Sequence, residues 1–87
     1  MDNYEVKYTA EHAVRLQYER AIEENLPTDK ETILAEAVTA LSRMVIWHKD
    51  QTEGFNNKAY WEGVEDRYRH ALHMVRVELE DLRRYKV

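Results

Sequence analysis

The chain has 87 residues, 44% hydrophobic and 34% charged, with two glycines, one proline, no cysteine and a net charge of −4. That length gives a single domain, residues 1–87, whose fold covers only roughly 60% of the surface an unfolded chain exposes, so association with a partner is expected. The lack of cysteine excludes disulfides, thiolate zinc sites and thiol nucleophiles, and the hydrophobic share excludes extended disorder.

In chain order, the first segment, "NYEVKYT", alternates Tyr4, Val6 and Tyr8 with polar residues, the period of an extended strand. A lone strand leaves its backbone unsatisfied, so a short extended N-terminal arm lying along the helices is expected. Helix one is expected over residues 10–25, with Thr9 as N-cap and Pro27 as the stop. Its apolar face is thin: Ala10, Val14, Tyr18, Ala21 and Ile22, with Leu16 pointing elsewhere.

Helix two is expected over residues 29–50, because Thr28 and Glu31 have capping-box spacing. Leu34, Ala37, Val38, Leu41, Met44 and Val45, flanked by Ile33, Ala40 and Trp47, cover nearly half its girth, the pattern of a central helix touching two neighbours. "TEGFNN" breaks it: Gly54 suits a C-terminal stop, Asn56 an N-cap, and Phe55 with Tyr60 a hydrophobic staple. Helix three then runs over residues 57–85 behind one stripe of Trp61, Val64, Tyr68, Ala71, Leu72, Val75, Leu79 and Leu82.

The fold class that follows is all-α, a three-helix bundle running up, down and up with a long C-terminal helix. At 1.5 Å per residue the helices span roughly 25, 33 and 42 Å, so the end of the third, with Leu82, Tyr85 and Val87, is expected to overhang its partners. Such an end suits a homodimer seam.

The third helix also holds the pattern most suggestive of chemistry, Glu62-x-x-Glu65 followed by Glu78-x-x-Asp81. This spacing resembles that of the all-α nucleotide pyrophosphohydrolases, and the resemblance implies carboxylates from neighbouring helices holding magnesium against nucleotide phosphates. The intervening "DRYRHALHMVRV" has no turn residue and continues the apolar stripe, so both pairs belong to one helix, roughly 20 Å apart. Magnesium takes oxygens at about 2.1 Å, and no single site can use all four. The polar surface of a helix, supported by pairs such as Glu80 with Arg84, is the expected role.

Asp66, His70 and His73 share one face at spacings that suit a transition metal, yet the His-Glu-x-x-His arrangement is absent and exposed histidines are the simpler reading. His12, His48 and the lone serine, Ser42, form no triad that spacing can support. No catalytic, cofactor-binding or metal residue is therefore assigned.

Charge and aromatic placement point instead to a binding protein. Residues 1–36 hold nine acids against four bases, which disfavours direct nucleic-acid binding, and "RRYK" near the C-terminus complements the negative end of a helix. Tyr60, Leu82 and Tyr85, with Tyr4 and Tyr8, sit at edges or ends where a partner could cover them. The acids Glu19, Glu23, Glu24, Asp29, Glu31 and Glu36 form a second candidate surface, one that could imitate nucleic-acid phosphates.

No apolar run is long enough for a signal peptide or a membrane span, so a soluble, cytoplasmic protein is expected. The sequence reading is a small non-enzymatic regulatory or scaffolding protein that binds another protein and itself. The alternatives are an acidic nucleic-acid mimic that inhibits a nucleic-acid-handling enzyme, and metal-dependent nucleotide hydrolysis.

Overall fold

A computed structural model describes residues 3–54 and 58–85, without the side chains of residues 3, 52–54 and 58. The described residues form three helices: α1 (Asn3–Glu23), α2 (Lys30–Gly54) and α3 (Lys58–Arg84). Among the described residues there is no strand, and the all-α three-helix bundle is as the periodicities predict. The expected Asn56 cap, the Phe55 staple and Val87 lie outside the described residues.

The extended arm is a correction. Residues 3–9 are the first two turns of α1, and Thr9 is no N-cap: its hydroxyl donates to the Glu5 carbonyl at 2.8 Å, inside the helix. Val6 and Ala10 are both buried, four residues apart, so the helical period serves the core where the two-residue period does not. Tyr4 and Tyr8 are left on the outside.

α1 ends in a Schellman turn. Asn25 takes a left-handed φ of 54°, the Leu26 amide donates to the Ala21 carbonyl at 2.8 Å and the Asn25 amide to that of Ile22 at 3.4 Å. Pro27 follows, where no helix could continue. The cap of α2 is one residue later than the capping box predicts. Asp29 accepts both the Thr32 amide, at 3.0 Å, and the Thr32 hydroxyl, at 2.9 Å.

Ion pairs and rings at opposite ends fix the bundle's direction. At the start of α2, Lys30 meets Glu78 at 3.4 Å and Glu31 meets Arg83 at 3.3 Å; at its far end Trp47 and His48 pack on Trp61 near the start of α3. α2 and α3 are thus antiparallel neighbours, and theirs is the most extensive contact of the three.

That seam is the core. Leu34, Ala37 and Leu41 meet Ala71, Leu72, Val75 and Leu79, and Ala37 and Ala71 have no exposed surface at all. α1 adds little beyond Val6 and Ala10 to this cluster, since its inward positions are mostly alanine. Two of its expected face residues, Tyr18 and Ile22, are about half exposed.

The overhang of α3 is also corrected. Because α2 reaches Gly54 and α3 starts at Lys58, the two helices have 25 and 27 residues and nearly match. Leu82 is half-buried against the core, and Tyr85, 86% exposed, is what remains uncovered.

A candidate docking groove between α1 and α2

The carboxylates of α3 do not converge. The helix is continuous from Lys58 to Arg84, which puts the two pairs about 20 Å apart along it. Glu65 is buried and held by the Arg69 guanidinium, Glu78 is paired with Lys30, and Asp81 lies 3.8 Å from Arg84, which takes it in place of Glu80. No group of three or more ligating side chains that could hold a metal occurs among the described residues, Asp66, His70 and His73 included. His70 donates from Nδ1 to the Asp66 carbonyl at 2.7 Å, a contact along its own helix.

His48 is the one buried histidine. Its Nδ1 donates to the Met44 carbonyl at 2.7 Å, and its ring lies among Trp47, Trp61 and Tyr68 at centroid distances of 5.0, 5.9 and 4.7 Å. Tyr60 meets Trp61 edge-on at 5.2 Å. These rings pack on one another and close the α2–α3 end of the bundle. Tyr60 stays largely exposed at its rim.

The acidic series is partly consumed by the fold. Glu24 pairs with Arg20 at 3.1 Å, Glu31 with Arg83, and Asp29 caps α2. Glu19, Glu23 and Glu36 are exposed. The series is thus interrupted by cations and is not a continuous acidic face.

Grooves flank α1, because its small inward residues hold it only lightly against the other helices. The groove toward α3, about 690 Å³, has an apolar floor that includes Val14 and Val75, and its rim carries ion pairs, Lys7 with Glu11 at 4.0 Å along α1 and Lys30 with Glu78.

The groove toward α2, about 590 Å³, is different. Its walls are Tyr4, Tyr8 and Leu16 on α1 and Met44 on α2, all classed among the exposed apolar side chains, and its floor includes Ala13 and Ala40, whose small size keeps it open. Tyr8 is stacked on His12, centroids 5.8 Å apart and planes 7° apart, which orients the wall. From Tyr4 to Gln17 the groove is about 20 Å long at helical rise.

Arg67 of α3 lies at its base. The guanidinium is 5.5 Å from the Tyr68 ring centroid, and Nε is out of solvent with no hydrogen-bond partner. Sequence reasoning marks Tyr4 and Tyr8 as edge residues but misses Leu16, Met44 and Arg67. The signal for Leu16 was its departure from the face of α1; for Arg67 there was none.

Comparison of the chain with protein-family models, with curated proteins and with solved structures found no match.

Proposed function

We propose that this chain is a non-enzymatic protein-binding module of the cytoplasm, and that it seats an amphipathic helix of a partner protein between α1 and α2. One observation carries the reading. Tyr4, Tyr8 and Leu16 stand in a row along α1, facing Met44 across an alanine floor, and their apolar surface is open. Exposed apolar rows of this kind mark interaction sites, and a channel between two helices suits a third helix reading out through residues at i, i+4 and i+7. Tyrosine adds large contact area at low entropic cost.

No helix of the described residues is long and apolar enough to cross a membrane.

The test compares capture from the native host by the wild-type chain and by Leu16→Glu and Met44→Glu variants with intact helical spectra. A partner retained by the wild type and lost from both variants supports the groove. A partner retained equally by all three removes it. Sedimentation of the purified chain tells whether the helix comes from a second copy.

A further inference from the structure

Resting on that docking reading, we infer that the partner helix carries an aspartate or glutamate on its apolar face, and that this carboxylate pairs with Arg67 at the base of the α1–α2 groove. Most arginines of the described chain already have a partner: Arg15 has His12, and Arg20, Arg69, Arg83 and Arg84 each have a carboxylate. Arg67 has none. Its Nε is removed from water without an acceptor, while one side of the group lies near the Tyr68 ring.

The Nε of that guanidinium has lost its water without gaining an acceptor, and a carboxylate paired with the group offsets part of that cost. Arginine, with a planar fork of donors, is the residue best shaped to take a carboxylate in a fixed orientation.

The surroundings agree in sign. Arg43 lies on the rim of the same groove and has no ion pair among the described residues, and Glu5, the groove's one acid, forms no ion pair with Arg67. Along this groove Arg43 and Arg67 stand against Glu5 alone, in a chain of net charge −4, while Asp66 shares the adjoining groove with Glu5 and Arg67. Charge complementarity therefore selects an acidic helix. The length, about 20 Å, matches three to four turns of helix.

The experiment is a selection of helical peptides, randomised on one face, against the full-length wild-type chain, followed by affinity measurement with purified variants. Selected peptides are expected to share an acid at one position. Their binding should weaken at least about tenfold on exchange of that acid for its amide, and by a similar factor with Arg67→Met. Arg67→Lys should recover part of the loss, and Arg67→Glu should favour a peptide with lysine at that position. A helical spectrum and an unchanged melting temperature verify that Arg67→Met folds.

Peptides blocked by Met44→Glu but indifferent to their acid or to Arg67 would overturn the carboxylate pairing and leave the groove reading standing. Binding insensitive to Met44→Glu, or no binding at all, would overturn both. Decanoate or benzoate that competes fully at micromolar concentration would make the occupant a small carboxylic acid and overturn the helix.

Discussion

The His48 ring lies over the Tyr68 ring, 4.7 Å between centroids and 20° between planes, and so joins the end of α2 to the first half of α3. Its Nδ1 proton is committed to the Met44 carbonyl, which fixes the imidazole's orientation in the stack. Removing the ring opens a buried hole, so His48→Ala should cost about 2–3 kcal/mol, whereas His48→Phe keeps the stack and should cost about 1 kcal/mol. Urea unfolding of the two variants measures this. Equal losses would mean that the hydrogen bond, and not the stack, holds this end.

Gly63 is an exposed helical position of α3 with nothing within 4 Å of where a Cβ would stand. An alanine there meets no clash and removes the entropic cost of a helical glycine. Gly63→Ala should raise stability by roughly 0.5–1 kcal/mol, read as a higher melting temperature. A fall would show that the added methyl group is not free of contacts within the fold.

The link between α1 and α2 offers a test of both caps. Asn25 holds a left-handed φ that glycine takes without strain and a β-branched residue does not. Asn25→Gly should be neutral or slightly stabilising, Asn25→Val should cost about 1 kcal/mol or more, and Asp29→Ala, which removes the acceptor for Thr32, about 1 kcal/mol. Thermal melts in which Asn25→Gly stays near wild type while Asn25→Val and Asp29→Ala both fall would support the turn; an Asp29→Ala variant as stable as wild type would show that Thr28 takes over as the cap.

Helix three was legible because a single stripe of one period, from Trp61 to Leu82, admits one arrangement. The N-terminus was not, since Tyr4, Val6 and Tyr8 satisfy a period of two by residue type, and only the burial of Val6 beside Ala10 decides for the helix. The end of α2 was misjudged by four residues, and that was enough to turn two nearly matched helices into an overhang. The groove is a relation between Leu16 and Met44, far apart in sequence, and periodicity within one helix cannot place one opposite the other. Nor does periodicity tell which polar side chain a neighbouring helix covers, so Glu65 read as surface although it is 8% exposed.

Glu65 itself gives a prediction whose sign separates charge from packing. It occupies a position of the buried stripe, three residues before Tyr68, and its carboxylate is held by Arg69, whose side chain is mostly exposed. Replacing Glu65 with leucine removes a desolvated charge, adds apolar contact and leaves Arg69 in water. Glu65→Leu should therefore be neutral or stabilising by about 1 kcal/mol, and Glu65→Ala destabilising by about 1 kcal/mol. A large loss in the leucine variant would mean that the carboxylate orders the helix beyond its contact with Arg69.

Stability should be uneven across the three helices. α1 buries Val6, Ala10 and Ala21, side chains that together remove little apolar area, whereas the α2–α3 seam buries Leu34, Leu41 and Val75 almost completely. Local opening follows buried apolar contact, so amide hydrogens of α1 should exchange at least about tenfold faster than those around Leu34, Leu41 and Val75. A helix seated in the α1–α2 groove would cover Tyr4, Tyr8 and Leu16, contribute the contact α1 lacks, and slow its exchange most at residues 8–17 while leaving the seam unchanged. Uniform protection in the isolated chain would show that α1 is as tightly held as its neighbours, and the groove would then be a fixed surface instead of one that tightens on its partner.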